Sequence, residues 1–439
     1  MLILTHTTST RDSIRNDLGR PEYSYYFVLR ELRPVLESLG VVIEVNDPER
    51  DVDAIYRNCQ RHGIPCVFLS FSPPHKTPVN LECPTLPIFA WEFDTIPNEG
   101  FMGKPRNDWT RVLAKLGGAV THSGFIVQQV KRLMGSDFPI ISAPAPVWDT
   151  VAALRDAGPA KPVAQGIVLQ LEGMVIDSRD TDLSAYDKSS LLAAEGQPLP
   201  LPATRQQGRC EVVLDGVVYT SIFNPGDGRK NWQDMIQAFC IAFKDVADAT
   251  LVLKLTHYDV SALVPEMLEI MYKCGELACR VVMLHGYLEQ DAYERLLLAT
   301  SYAVNTSMGE GQCLPLMEYM SAGKPAIAPQ HSSMADYIDA SCAFVLRSSL
   351  EPSTWPHDPR QAMRTLRHRL HFDSLVTGYR DSYLVAKQQP DRYAILSRGA
   401  IQSLQRYCSR EVVREQIHSA ISGQLARHQC GKSKGTEAA

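Results

Sequence analysis

The chain has no hydrophobic run long enough to span a membrane. Its apolar stretches stop at strand length, well short of the ~20 residues a spanning helix needs. It also has no excess of positive charge: 44 Lys and Arg against 49 Asp and Glu leave a formal net charge of −5 over 439 residues. Nucleic acid is therefore not expected as the main partner, because phosphate-backbone binding needs a basic surface. None of the 11 cysteines forms a CxxC pair, and their number is odd. That is the pattern of reduced cytosolic thiols rather than of a disulfide framework or a zinc site. No basic segment precedes the short apolar run of MLILTHTTSTR, which reads as a first buried strand and not as a signal peptide. No internal repeat is evident. The tail piece CGKS is not a phosphate-binding loop, since Ala426 stands where that motif needs glycine.

What is present is an ordinary globular composition, 45% apolar and 21% charged, in a chain long enough for two domains. Alternating strands and helices over residues 1–149 point to an α/β domain with a parallel sheet. Its expected strands are LILTH, VVIEV, CVFLSF, PIFAWEF and GAVTHS. Its expected helices are Tyr25 to Leu39, ended by Gly40, and IVQQVKRLMG, closed by Gly135. The proline-rich APAPVWD reads as a domain exit. Residues 150–210 read as a β-rich insertion near the linker, with the loop QPLPLPATRQQG at its end. The α/β alternation resumes over 211–395, including a helix from NWQDMIQAFCIAF with Asn231 as N-cap. From about Gln361 the chain is expected to be helical, with helices over 396–425 packing back on the first domain and a disordered tail over 426–439.

The strongest local pattern is Ser307 to Pro329. A strand leads into Met308-Gly309-Glu310-Gly311-Gln312, and a short helix follows, roughly Pro315 to Ala322. Pro315 suits a first helical turn, and Gly323 and Pro325 suit its end. Such a helix turns unpaired N–H groups toward the sheet's C-terminal edge, where open α/β sheets bind ligands and where a phosphate is stabilised. Glu310 precedes the helix and Glu318 lies one turn inside it, two carboxylates able to hold sugar hydroxyls on either side of an anion. A first-turn glutamate also complements the helix dipole, and glycines there also serve a tight turn. The residues alone leave both readings open. A second pattern, Asn224-Pro225-Gly226-Asp227-Gly228-Arg229-Lys230-Asn231, puts two cations ahead of a helix, either to stabilise an anion or as a solvated pair in a turn.

The first segment resembles the E-x7-E signature of retaining glycosyltransferases, especially family 4 of the GT-B fold. Glu310 and Glu318 have its spacing, Gly311 and Leu314-Pro315 match positions between them, and Ala322-Gly323-Lys324-Pro325 carries the G-x-P of the A-x-G-x-P that follows. The resemblance implies two Rossmann-like domains facing across a cleft, and a donor nucleotide-diphosphate sugar as substrate, with no cofactor and no metal. It places Glu310 by the donor sugar, Glu318 on the ribose, and the backbone of Gly311, Gln312, Cys313 and Leu314 on phosphate and sugar. Lys230 matches the lysine of the family's diphosphate clamp. The clamp's arginine is missing: Asn224 stands near its position, and Arg229 lies next to Lys230 instead. His285, Gly286 and Tyr287 fall where the family approaches the base, and Gly19 where it has a glycine-rich loop.

In the first domain Glu92 or Trp91 would stand in for the family's cleft histidine. The other reading is that Trp91 packs and Glu92 meets solvent or an arginine. His122 and Ser123 are secondary candidates, and Asp336 is read as structural. The implied activity is transfer of a sugar with retention to a glycan or lipid-linked saccharide, in surface polysaccharide or glycoconjugate assembly. The expected location is the cytoplasm, with contact at the inner face of a membrane compatible with it. Two other readings stand beside it: a GT-B sugar-nucleotide epimerase, and a non-catalytic sugar-nucleotide-binding or scaffold protein.

Overall fold

A computed structural model of the chain describes residues 1–187, 199–356 and 358–436. The first domain alternates β1 (Leu2–His6), α1 (Tyr23–Glu37), β2 (Val41–Glu44), α2 (Pro48–Arg61), β3 (Cys66–Phe71), β4 (Thr85–Phe89), α3 (Trp109–Leu116), β5 (Ala119–Thr121), α4 (Gly124–Met134) and β6 (Ile140–Ser142). Its six strands pair in the order β2-β1-β3-β4-β5-β6, all parallel. CVFLSF is buried at every position, as a continuous apolar run covered on both faces must be. Helices α2 and α3 have no counterpart in the sequence reading, although Asp47 caps Arg50 N at 3.3 Å ahead of Pro48. The run PIFAWEF stops being a strand at Phe89, so Trp91 and Glu92 lie in the loop beyond it.

Two short helices, α5 (Val147–Thr150) and α6 (Ala152–Asp156), lead to the second domain. It contains β7 (Ala164–Asp177), β8 (Gln206–Phe223), α7 (Trp232–Ala242), β9 (Ala249–Leu255), α8 (Leu263–Lys273), β10 (Arg280–His285), α9 (Gln290–Ala299), β11 (Tyr302–Val304), α10 (Leu314–Ser321), β12 (Ala326–Pro329) and β13 (Ala343–Leu346). The β-rich stretch is built into the second sheet. β7 pairs antiparallel with the first half of β8 and with β10, while the second half of β8 runs parallel to β9 and β11. Thus β8 passes unbroken through the expected boundary at 211. Part of the expected loop over 197–208 lies outside the described residues. Asn231 does precede α7, but in a left-handed conformation (φ 50°), and its side chain bonds Asp234 rather than capping the helix.

The expectation of helix from Gln361 onward is corrected at its start. A two-stranded hairpin, β14 (Ser348–Thr354) and β15 (Arg364–Leu370), intervenes. Three helices then close the chain: α11 (Phe372–Gln388), α12 (Pro390–Cys408) and α13 (Arg410–Thr436). α13 continues to Thr436 where a disordered tail from 426 was expected; residues 437–439 lie outside the described residues. It lies against α1, β4, β5 and β6, with Val413, Ile417 and Ile421 in one apolar core with Leu32 and Val35 of the first domain. That core also takes in Leu316, Met317 and Met320 of α10, so this short helix is clamped between α5 and α12. No helix among the described residues is long and apolar enough to cross a membrane.

Candidate functional site

A cleft of about 1220 Å³ separates the two domains and is floored by the C-terminal ends of the second sheet's strands. Glu310 sits at its centre, 3% exposed. One carboxylate oxygen accepts from Lys230 Nζ at 2.6 Å, Ser307 Oγ at 2.6 Å and Asn305 Nδ2 at 3.2 Å. The other accepts from Arg229 Nη1 at 3.2 Å. Burial by itself would raise the Glu310 carboxyl, but the Lys230 and Arg229 charges outweigh it and hold the group well below the usual carboxylate range. It is therefore ionised and fully engaged.

Arg229 bridges the domains. Besides Glu310 it donates to Gly309 O at 2.5 Å, and it pairs with Asp227 at 2.9 Å and with Glu92 of the first domain at 3.3 Å. Of the two readings of Glu92, the structure shows it meeting an arginine within the cleft. The glycines beside Glu310 have an interdomain role as well. A Cβ on Gly309 would fall 2.7 Å from Glu92 O, and one on Gly311 would fall 3.1 Å from Trp91 N. Their absence of a side chain lets the loop before α10 lie against the first domain's backbone.

Helix α10 begins where the sequence places it, with Pro315 in its first turn and Gly323 just past its end at φ 82°. Cys313 precedes it in a left-handed conformation (φ 66°), its sulfur 3.1 Å from Asn305 Nδ2. Leu314 lines the cleft. Gln312 does too, but its side chain faces the linker: Oε1 accepts from Ala145 N at 2.6 Å. Glu318 is half-buried on the cleft wall, bonded by the Tyr293 hydroxyl. Burial pushes its carboxyl up to about 7, the Tyr293 bond opposing and nearby Glu31 adding to the rise. A raised folded-state value means that a stability contribution present below the ordinary carboxylate range is lost as pH rises through about 7. Melting temperatures of the protein and its Glu318→Gln variant should therefore coincide near pH 5, with the wild type falling behind by pH 8.5. A constant difference across that range would mean that Glu318 titrates normally.

Asn224 ends β8 by donating to Gly19 O at 3.1 Å across the domain boundary. Gly19 itself (φ +70°) approaches so closely that a Cβ would meet Thr256 O at 2.2 Å. Tyr287 lines the cleft, but His285 and Gly286 do not. His285 is turned to His257 O at 2.8 Å, and Gly286 backs onto Glu172 O of β7, so these two serve the sheet's packing. His122 is buried on Ala143 O, Ser123 caps α4, and Asp336 accepts from Gly124 N across the domains at 2.8 Å. Several cleft residues escaped the sequence reading: Lys254, Tyr293, an ion pair of Glu22 with Lys76, and Trp355. Glu22 had a visible signal, lying in the Gly19-Arg20-Pro21-Glu22 loop. The others carry none in their local sequence.

Trp355 arrives with the β14–β15 hairpin, which reaches from the second domain onto the first. Asp94 accepts from Thr365 Oγ1 and Leu366 N, each at 2.7 Å, Thr95 Oγ1 donates to Arg364 O at 3.1 Å, and Arg360 pairs with Glu99 at 2.6 Å. Trp355 stands edge-on to Trp91 and Phe101, with centroids 5.4 and 5.5 Å apart. The hairpin's other end holds the loop before α10: His368 N donates to Met308 O at 3.0 Å, and its ring stacks on His331 at 4.0 Å.

No protein-family profile and no curated protein matches the chain by sequence. Solved structures do match it over nearly its whole length. HepE of Anabaena in complex with UDP and glucose aligns at 13% identity and a TM-score of 0.52, covering 96% of this chain and 100% of its own. Sucrose-phosphate synthase from Thermosynechococcus elongatus aligns at 14% identity and 0.53, covering 98% and 100%. A glycosyltransferase from Rickettsia africae aligns at 10% identity and 0.51, covering 97% and 98%. At such identities the likeness is one of architecture: the chain has the GT-B fold, two Rossmann-like domains facing across a cleft.

Proposed function

We propose that the chain is a retaining glycosyltransferase that moves a sugar from a nucleotide-diphosphate donor to a glycan or lipid-linked saccharide. The observation that carries this is the Glu310 carboxylate, buried in an interdomain cleft with Lys230 and Arg229 on its two oxygens and the N-terminus of α10 close behind. When the sugar–oxygen bond of a donor breaks, negative charge grows on the leaving diphosphate. The Lys230 and Arg229 cations and the free first-turn N–H donors of α10 are preorganised partners for it, which is why no metal is assigned to the reaction. Glu310 supports the positive charge that develops on the sugar ring. Glu318, one helical turn on, holds the ribose hydroxyls. The same fold in HepE bound to UDP-glucose agrees with a nucleotide-sugar donor.

The acceptor would enter from the first domain's side, past Trp91 and Glu92. Attack on the same face as the departing diphosphate gives retention, with a diphosphate oxygen taking the acceptor's proton. Interdomain closure keeps water from competing. The test is release of nucleoside diphosphate from a panel of nucleotide sugars, with and without saccharide acceptors. Acceptor-dependent release is expected, together with loss of donor binding in Glu318→Ala. No release, or unchanged donor binding in that variant, would sink the reading. Glu22 and Glu92 also bring carboxylates to the cleft, as an epimerase would need. Epimerised donor formed without acceptor would favour that reaction instead.

A further inference from the structure

Lys254 is 4% exposed on β9, yet it lines the cleft. Its ammonium has one hydrogen bond, to the carbonyl of Leu255 at 3.1 Å, and no carboxylate pairs with it among the described residues. Other cations lining the cleft are paired: Arg229 and Lys230 share Glu310, and Lys76 has Glu22, whereas Arg20 is exposed to solvent. A buried ammonium without a countercharge is costly, and proteins ordinarily pair or neutralise it. Burial here draws Lys254 down to about 7.

The strand register says what the group is near. Lys254 pairs with Ile222 of β8 in a parallel ladder. Neighbours in register on adjacent strands share a face, and Asn224 stands just past the end of β8, two residues beyond Ile222. Asn224 is where the sequence lacks an expected arginine, and its side chain is occupied by Gly19 O and Gly226 N. The cation absent from the end of β8 is thus present on the strand beside it.

We propose that Lys254 is a third cationic ligand for the diphosphate of a bound nucleotide, taking the place of the missing arginine. The inference rests on the donor reading above. A bound phosphate oxygen would be the countercharge the ligand-free cleft does not give this ammonium. A lysine with that role is poorly placed for stability and well placed for binding, so the two properties should move in opposite directions on substitution. Lys324 is the natural control. It is 3% exposed, bonded only to Leu298 O at 3.3 Å among the described residues, and does not line the cleft.

The experiment compares wild type, Lys254→Met, Lys254→Gln and Lys324→Met, by calorimetric titration with UDP and with uridine, and by thermal melting without ligand. UDP affinity is expected to fall about 10- to 100-fold in both Lys254 variants, the range of a charge-assisted hydrogen bond. Uridine affinity should be unchanged, and the melting temperature of Lys254→Met should rise. Lys324→Met should keep wild-type UDP affinity. Wild-type UDP binding in both Lys254 variants overturns the proposal and leaves the donor reading standing. So does an equal loss for UDP and uridine, which would put Lys254 on the nucleoside. A wild-type protein that binds none of UDP, GDP and ADP ends the donor reading and this inference together.

Discussion

Glu310→Gln should lower turnover about 10²- to 10³-fold, the cost of removing one preorganised electrostatic partner of a transition state, while nucleoside diphosphate binding holds or tightens. The reason lies in the bond inventory of the side chain. Four donors converge on its two oxygens. An amide of the same shape keeps one acceptor but turns N–H groups toward Lys230 or Arg229. The sugar ring loses its compensating charge, whereas a diphosphate meets two cations freed from their partner. Steady-state kinetics with the active donor and calorimetry with the nucleoside diphosphate separate the two effects. Near-wild-type turnover would show that the carboxylate only holds its loop.

Arg229→Ala should be the most damaging single change to stability in the cleft. The guanidinium reaches Asp227, Glu92, Glu310 and the Gly309 carbonyl at once. Removing it strands Glu310 with part of its charge uncompensated, a loss of about 3–5 kcal/mol when a buried pair is broken from one side. Arg229→Lys should rescue little, because one ammonium cannot span the directions of a planar fork. Lys230→Ala offers the contrast. Its Nζ bonds only Glu310 among the described residues, so it should lose less stability while turnover still falls steeply. Urea denaturation and diphosphate release on the three variants give the comparison, and an Arg229→Ala protein as stable as wild type would remove the bridging role.

The parts of this site that were legible in the sequence are those whose signal is local. The strand before Ser307, Pro315 in the first turn and Gly323 past the last are short-range backbone requirements, and the helix formed within a residue of expectation. The α/β alternation was legible for the same reason, since parallel strands buried on both faces must be apolar runs. What stayed hidden is tertiary. Gly309 and Gly311 look like turn glycines, and only the folded chain shows Glu92 O and Trp91 N against them. Asn224 looks like a defect in a cation clamp until its hydrogen bond to Gly19 O is seen, with Lys254 on the strand beside β8. Strand β15 falls where helix is expected because RTLRHRL lacks the clean alternation of a half-buried strand, and Leu366 remains 39% exposed. Its shape is set by the domain it touches. Helix α2 is different: Asp47-Pro48 is a local start signal, with Asp47 capping the helix ahead of Pro48.

The two rims of the cleft are not equally fastened. On one side the hairpin is sewn to Asp94, Thr95 and Glu99, with Trp355 seated among Trp91 and Phe101. On the other, the loop carrying Gly19 is held by the Asn224 hydrogen bond and by Arg15 with Glu289, a pair whose side chains are 66% and 62% exposed. Exposed ion pairs of that kind contribute about 0–1 kcal/mol and weaken with salt. The Gly19 side is thus the more weakly held rim of the cleft. On the proposed reading a spent nucleotide would leave by that side, and added salt should loosen it slightly by weakening the Arg15–Glu289 pair.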